Sequence, residues 1–505
     1  MAISVQIRIP VVALVAVLVT GCHREKPTLG AEELSPLLDS QLRAFFALKH
    51  QQAVSLVEVD KALYADSDDK PLSITKGLAP EVWPYFKAGE KGDWQKMAKF
   101  YRQMATRSYQ FENPTQSPDE RLNSTAWQPI NETFRAFEQL TAADPKYLLA
   151  YGQEIMASVP QGSVFFAGTD AGRFLTTFLS RSQPDGDPFF IISQNQLADG
   201  LQLEYLRSMY SNRLQTPTSD DTQAAFLEFM EDLRQRFEQK KLKPGEDAQI
   251  VDGRLKASGL LAVMQINELI AKRIFHKNPD HEFYLDEQWP MEWTHAHLVP
   301  HGFVFKVSRE PLARLSSEII EKDRAFWNGW TSKAVGNWLT NSTSVQEICD
   351  FAEKTYVRKD LTEFTGDPQF VCTSRNWKPV RDYLGASAVF SKSRTSIARV
   401  YWARARSAKT VEERTKLLEE ADFAFRQAFA LCPYQESTQQ CFGAFLLEQM
   451  RFQDAILVAR TIGRFGLADK SAQDWVKQVE KLAGAAAAME RTNSMGFPTP
   501  TGDSP

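Results

Sequence analysis

The sequence predicts an α/β domain built on a small, mostly parallel sheet with flanking helices, followed by an all-α region. Two short apolar runs, at 163–167 and 188–192, alternate with segments of helical spacing, as expected of parallel strands joined by helices. Two further strand-like runs follow, at 281–285 and 302–307. From residue 311 onwards the apolar residues keep helical spacing, so we expect helices there.

Helical spacing also predicts helices before and between the strands. The charged helix at 218–241 begins with Thr218, Ser219 and Asp220, side chains that are favoured at helix N-termini. The predicted helices are 32–60, 93–109, 130–140, 147–158, 173–180, 197–210, 218–241 and 252–275, and then 311–339, 344–360, 385–407, 410–432, 436–449, 452–464 and 470–489.

Length and composition allow several folded segments. The chain has 505 residues, of which 43% are hydrophobic, so it can bury a sizeable core. Its net charge of −4 gives no basic face for a nucleic-acid partner. The predicted segments are a signal peptide at 1–21, a tether and N-terminal helical region at 22–146, a Rossmann-like α/β domain at 147–310, a helical connector at 311–384, helical repeats at 385–490 and a disordered tail at 491–505.

The N-terminus has the pattern of a secretory signal. Arg8 precedes an apolar run at 11–19 that is too short to span a membrane as a helix. Gly21 and Cys22 follow, and this ending resembles the lipobox of bacterial lipoproteins. The resemblance implies cleavage before Cys22 and acylation of that residue. It also implies attachment to the outer membrane, facing the periplasm, because an Asp at the position of His23 would favour the inner membrane. The alternative is a plain signal peptide with an incidental cysteine.

Polar turns follow the first two predicted strands, at the sheet edge where ligands of α/β proteins usually bind. The turn at 168–172 could present backbone N–H groups to an anion at a helix N-terminus. Alternatively, Thr169 or Asp170 only caps that helix, and Arg173 pairs with Asp170 or Asp199 rather than with a ligand. The candidate ligand-binding residues are Gly168, Thr169, Asp170, Arg173, Gln194, Asn195 and Asp199.

No pattern of catalytic or metal-binding residues stands out. His295, His297 and His301 have a spacing that can chelate a metal on a strand, but Pro300 interrupts the segment, so we expect no metal and no cofactor. The carboxylate pair Asp286-Glu287 is expected in a solvated loop. These observations favour a non-enzymatic protein without excluding an enzyme.

Besides Cys22, the chain has four cysteines, and an oxidising compartment would allow two disulfides. Spacing alone does not fix the pairing, and buried free thiols are an equal alternative. These cysteines are Cys349, Cys372, Cys432 and Cys441.

A repeat pattern lies near the C-terminus. Ala421, Phe425, Ala428 and Pro433 match the second helix of a tetratricopeptide repeat, whose small residues let paired helices approach closely. About one repeat period of ~34 residues later, Gly443 and Ala455 fall on small-residue positions of a second, degenerate repeat. An ordinary helical hairpin is the alternative.

Residues 147–470 together resemble the soluble C-terminal part of bacterial membrane proteins related to protein O-mannosyltransferases, of the glycosyltransferase-C class. The segments that carry the resemblance are VPQGSVFFAGTDAGRF, FFIISQNQLADG and HLVPHGFVFKV, followed by the repeats. The membrane-spanning half that carries transferase chemistry in those proteins is missing, and the lipobox takes its place. The resemblance therefore implies the architecture but argues against glycosyl transfer by this chain.

Two functional hypotheses follow. The first is a non-enzymatic, lipid-anchored periplasmic scaffold that holds a protein partner with its helical repeats, which offer a concave surface. The second is a module that binds a small polar ligand, a sugar or an anion, at the strand-end turns, or an accessory to envelope glycosylation acting there.

Overall fold

The computed structural model describes residues 34–67, 70–108, 118–142, 145–180, 189–243, 245–251, 253–287, 291–371 and 385–465, with some of 474–484. The predicted signal peptide with Cys22, the tail, Cys372 and most of the helix predicted at 470–489 lie outside these residues. The chain divides into two units. The first comprises 1–299 with 304–311, and the second comprises 300–303 with 312–505.

The first unit combines helices with a five-stranded sheet, so the predicted mixture of α/β and all-α structure is confirmed at this level. Side chains cap several of these helices. Ser35 accepts a hydrogen bond from Leu38 N at the start of the first helix, and Thr218 and Asp221 form a reciprocal capping pair at the ninth. The helices are α1 (Pro36–Leu63), α2 (Leu72–Thr75), α3 (Val82–Glu90), α4 (Trp94–Ala105), α5 (Trp127–Ala142), α6 (Pro145–Ser158), α7 (Asp170–Ser180), α8 (Gly200–Tyr210), α9 (Ser219–Glu238) and α10 (Leu260–Lys277).

The main sheet is mixed rather than mostly parallel. Its strands are β1 (Val164–Ala167), β2 (Phe190–Ser193), β5 (Phe283–Leu285), β6 (Leu298–His301) and β7 (Val304–Val307), in the order β2-β1-β5-β7-β6. β1 is parallel to both β2 and β5, whereas β7 is antiparallel to β5. The four predicted strands are present within about two residues of their predicted bounds. β6 was not predicted, because Pro300 made this segment look like a loop.

A small second sheet corrects the predicted helix at 252–275. β3 (Asp247–Val251) and β4 (Arg254–Ser258) are antiparallel, and helix α10 begins only at Leu260. In β4 the partly buried Leu255 and Ala257 alternate with exposed residues, which is a strand period that we had read as helical. These two residues pack with α9 and α10 on a separate apolar cluster around Phe229 and Leu233.

The described part of the second unit is helical. The helices α14 and α15 are joined by a short turn and pack along their length, and α16 and α17 form a shorter pair. Ala421, Phe425 and Ala428 of α15 are fully buried, so the small residues lie where helices meet. The helices are α11 (Ser317–Val335), α12 (Val345–Ala352), α13 (Pro368–Val371), α14 (Ala386–Ser407), α15 (Val411–Leu431), α16 (Glu436–Glu448) and α17 (Phe452–Gly463).

The cysteines of this unit form no disulfide among the described residues, which include Cys349, Cys432 and Cys441. Cys349 and Cys432 are buried, and burial raises the pKa of each thiol to about 12. Both side chains therefore act as packed apolar groups with little thiolate character. No helix within the described ranges is long and apolar enough to cross a membrane.

Candidate functional site

The polar turns predicted as a site lie at the carboxyl ends of the parallel strands. The chain leaves β1 towards β2 on one side, and it leaves β5 towards β7 and β6 on the other. The point between β1 and β5 is therefore where strand order reverses, which is the usual ligand position in open α/β sheets. Gly168 and Thr169 follow β1 at this point, and Asp286 follows β5.

Asp286 fills the space in front of the first turn. Its side chain is buried, and its carboxylate accepts hydrogen bonds from Gly168 N (2.6 Å) and Thr169 N (3.2 Å). The Thr169 hydroxyl donates a third. Burial raises the pKa of Asp286 to about 6, although these donors oppose the rise. The expectation that Asp286 lies in a solvated loop was wrong, because it follows a short central strand that carries it into the interior.

The glycines of the turn are required by the same carboxylate and its neighbours. A Cβ at Gly172 would overlap the carboxylate of Asp286, and a Cβ at Gly168 would overlap the amide of Gln194. Thr169 is the N-cap of α7, since its hydroxyl accepts a hydrogen bond from Gly172 N at 2.8 Å. The Gly-Thr-Asp-Ala-Gly sequence is thus explained by packing around Asp286.

The second turn closes over the first. Gln194 is buried in the short 3₁₀ segment after β2, and its Nε2 donates to the carbonyl of Glu287 at 3.1 Å. Asn195 Nδ2 donates to the carbonyl of Gly168 at 3.0 Å. Four predicted site residues therefore converge as expected, but their hydrogen bonds go to the chain itself. These four are Gly168, Thr169, Gln194 and Asn195.

The other predicted residues do not join this network. Asp170 is exposed at the start of α7 and forms no ion pair with any described residue. Asp199 caps α8 by accepting a hydrogen bond from Leu201 N at 3.0 Å, and burial raises its pKa. Neither carboxylate lies within ion-pair distance of Arg173, so neither of the two pairings considered for Arg173 is present in the structure.

Arg173 is buried on the side of α7 that faces α5. Only 8% of the residue is exposed, and its Nη2 donates to Oε1 of Gln128 at 3.2 Å. The guanidinium also lies 4.7 Å from the ring centre of Phe174. Burial lowers the pKa of Arg173, and the Glu132 and Asp170 carboxylates oppose this only in part. A cation with so little direct compensation is unusual in a protein interior.

A buried ion pair that sequence reasoning missed lies beside Arg173. Lys49 of α1 is fully buried, and its Nζ lies 2.6 Å from Oε2 of Glu132 in α5. Tyr205 of α8 donates to Oε1 of Glu132 at 2.9 Å, and Gln52 Oε1 accepts from Lys49 at 2.8 Å. The sequence contained one indication of this pair. Lys49 lies four residues after Phe45 and three after Phe46, so it falls on the apolar face of α1.

A surface cleft of about 570 Å³ lies elsewhere in the first unit, beside α2 and the end of α4. Its lining includes Arg107, Asp119 and Arg121. Arg107 pairs with Glu81 at 2.8 Å, and Arg121 pairs with Asp119 at 2.8 Å. These cations are therefore already compensated and give no reason to expect a ligand.

The arrangement of the histidines considered as metal ligands gives no support for a metal site. His297 Nδ1 lies 2.7 Å from the carbonyl of Ser308, a backbone contact. No group of three His, Cys, Asp or Glu side chains that could hold a metal ion is present in the part of the chain that the structure describes.

Comparison with known protein families, curated protein sequences and solved structures found no match to this chain. The likeness to lipoproteins and to O-mannosyltransferase-related proteins therefore rests on the quoted residues alone. The same holds for the likeness of 421–455 to tetratricopeptide repeats.

Proposed function

We propose that this chain is a lipoprotein anchored to the outer membrane through acylated Cys22. The protein faces the periplasm and binds a protein partner with its helical second unit. On this proposal the α/β unit is a non-catalytic body that carries the helical unit. Its parallel strands β2, β1 and β5 with their helices form a reduced Rossmann-like core.

The observation that carries the proposal is the closure of the strand-end turns. The amides that an anion or a sugar would use there, those of Gly168 and Thr169, already donate to Asp286. Asn195 and Gln194 close the same edge with bonds to backbone carbonyls. A ligand at the turn would have to displace a buried carboxylate from three donors, which argues against the alternative of a ligand or glycosylation site in the turn.

The helical unit supports the partner-binding part. The burial of Ala428 in α15 and of Ala455 in α17 supports the predicted repeats. Stacked helical pairs of this type offer an extended surface for peptides. On α16, Gln440, Ala444 and Glu448 are exposed at spacings of four residues, so they form one accessible face.

Metabolic labelling with a fatty acid tests the anchor. The wild type should incorporate the label and remain with the membrane fraction, because several acyl chains make membrane attachment stable. The Cys22→Ser variant should incorporate none. Label on Cys22→Ser, or a wild type that stays soluble, would contradict the anchoring.

Site-specific photo-crosslinking in intact cells tests partner binding. A crosslinker at Ala444 on α16 should capture a protein at a stoichiometry that the same crosslinker at the exposed Gln249 on β3 does not reach. Equal capture from both positions, or none from Ala444, would count against the helical unit as the partner-binding surface.

A further inference from the structure

We propose that Arg173 anchors a binding site for a small carboxylate monoanion, enclosed by α5, α7 and α8. This site is separate from the closed turn, and it does not depend on the proposed anchoring or partner binding. Arg173 lies in the first turns of α7, after the central strand β1, at the edge of the sheet where ligands usually bind.

The first argument is the lack of an ion pair. Three described arginines are more than nine-tenths buried, namely Arg173, Arg394 and Arg426. Arg394 pairs with Asp323 at 2.7 Å and Arg426 pairs with Asp422 at 2.8 Å. Among the described residues, Arg173 has no carboxylate within ion-pair distance, and its one side-chain hydrogen bond there goes to the neutral amide of Gln128. Most of its donors therefore remain available for a planar acceptor.

The second argument is a buried amide on the neighbouring helix. Gln202 of α8 is only 2% exposed, and its Oε1 has no hydrogen-bond partner in the described part of the chain. It lies three residues after Asp199 and three before Tyr205, so the three side chains share one side of α8. Asp199 and Tyr205 both interact electrostatically with Arg173, so this side of α8 lies within electrostatic range of the guanidinium. Its amide can turn to donate an N–H to a bound anion.

The third argument concerns the charge of the ligand. The guanidinium fork matches the two oxygens of a carboxylate. Glu132 interacts electrostatically with Arg173 but is already held by Lys49 and Tyr205. The Glu132 and Asp170 carboxylates and the Asp199 side chain lie within electrostatic range, so a second negative charge on the ligand would be repelled. A monoanion is therefore favoured over a phosphate dianion.

Thermal unfolding of the full-length protein tests the site. The melting temperature is followed with rising sodium formate, acetate or pyruvate, at an ionic strength held constant with sodium chloride. A ligand that binds only the folded protein should raise the melting temperature in proportion to the logarithm of its concentration above Kd. We expect this rise for at least one carboxylate in the wild type and not for phosphate or chloride.

Two substitutions locate the effect. Arg173→Met should abolish the rise and should melt in chloride at the wild-type temperature or above, because it removes a buried cation without orphaning a carboxylate. Arg273→Met, which removes an arginine paired with Glu228 at 2.9 Å, is the matched control and should keep the rise. If Arg173→Met does not fold, Arg173→Lys keeps the charge without the fork and should weaken the apparent affinity at least tenfold.

The proposal is overturned if none of the three carboxylates raises the melting temperature of the wild type. It is equally overturned if the rise persists in Arg173→Met, if Arg173→Lys keeps the wild-type affinity, or if phosphate raises the melting temperature more than the carboxylates do. A melting temperature of Arg173→Met that falls well below the wild type in chloride would assign Arg173 a structural role instead.

Discussion

Arg394 in the second unit and Arg173 in the first are both buried side chains of helices, but they have different partners. Arg394 donates to the Asp323 carboxylate at 2.7 Å and to Gln427 at 2.8 Å, and it lies 5.2 Å from the ring centre of Trp327. Arg173 has one hydrogen bond to an amide and no carboxylate partner among the residues that the structure describes. A buried ion that the chain compensates holds helices together, whereas an uncompensated one is expected where something else binds.

Asp286 is a buried carboxylate in the first unit that can be compared with these two arginines. No described cation lies within ion-pair distance of it, yet two backbone amides and one hydroxyl donate to it. Hydrogen bonds thus compensate this anion within its own unit. The comparison predicts that substitutions at Asp323 and Asp286 change stability strongly, and that substitutions of exposed charges do not.

The largest effect is expected at the compensated ion pair. Asp323→Asn keeps the shape of the side chain but leaves the Arg394 cation buried without a charged partner, which should lower the free energy of unfolding by about 3–5 kcal/mol. Chemical denaturation followed by tryptophan fluorescence measures it. Glu318→Gln, which breaks the exposed pair with Lys322 at 2.7 Å, is the control and should cause no measurable change. Similar effects of the two substitutions would remove the distinction drawn between buried and exposed pairs.

The pH dependence of Asp286 should be nearly as large. Its pKa is about 6 in the folded chain against an ordinary value of 3.8. Between about pH 4 and pH 6 the folded state therefore keeps a proton that the unfolded state has released, so stability from this group falls as the pH rises. The free energy of unfolding of the wild type, relative to Asp286→Asn, should decrease by about 2.5 kcal/mol from pH 4 to pH 7.

Measuring both proteins at each pH isolates this group. Glu268, whose pKa burial raises to about 7, contributes equally to the wild type and to Asp286→Asn and cancels in the difference. A difference that is constant across this pH range would show that Asp286 does not titrate as the structure indicates.

A smaller effect is expected from one neighbour of the ion pair. The hydroxyl of Tyr401 donates to Asp323 Oδ2 at 2.9 Å in a buried position. Tyr401→Phe should lower the free energy of unfolding by about 1–2 kcal/mol, because a hydrogen bond to a charged acceptor is lost. Combining it with Asp323→Asn should cost less than the sum of the two, since the groups share one network. Strict additivity would show that they act separately.

The smallest effect is expected at Asp170. Asp170→Asn removes a negative charge from the first turn of α7, where the residue is exposed and forms no ion pair with a described residue. Its effect on stability should be at most about 0.5 kcal/mol, from the weaker interaction with the helix dipole. Thermal unfolding at low salt measures it. A loss of several kcal/mol would mean that Asp170 compensates Arg173 after all.

The sequence predicted most of the local structure because local patterns determine it. The runs around Phe165 and Ile191 gave two strands, and the turn glycines marked the ends of the strands. The error at β3 and β4 came from treating Leu255 and Ala257 as the start of a long helix, although Gly253 with a φ of 71° provides a turn between two strands. Apolar and polar residues alternate over only four positions here, and a longer run with helical spacing follows, so the predicted helix was started too early.

The candidate site was predictable only in part, because its central group comes from a distant segment. Gly168, Thr169, Gln194 and Asn195 were identified from the ends of two apolar runs. Asp286 depends on β5 pairing with β1, and nothing near it in the sequence indicates that its side chain will be buried. The same applies to Lys49 and Glu132, whose contact joins helices from separate parts of the chain.

The bond between Gly168 and Asp286 also sets the order in which the first unit can form. The two residues are 118 positions apart, and the strand that carries Asp286 completes the pairing of β1. The chain emerges from its N-terminus, so β1 and Gly168 are present before β5 and Asp286 arrive. Until then the amides after β1 lack their acceptor and β1 lacks one neighbour. Contacts this distant in sequence slow folding, so we expect the arrival of β5 to be a late, rate-limiting step for this unit.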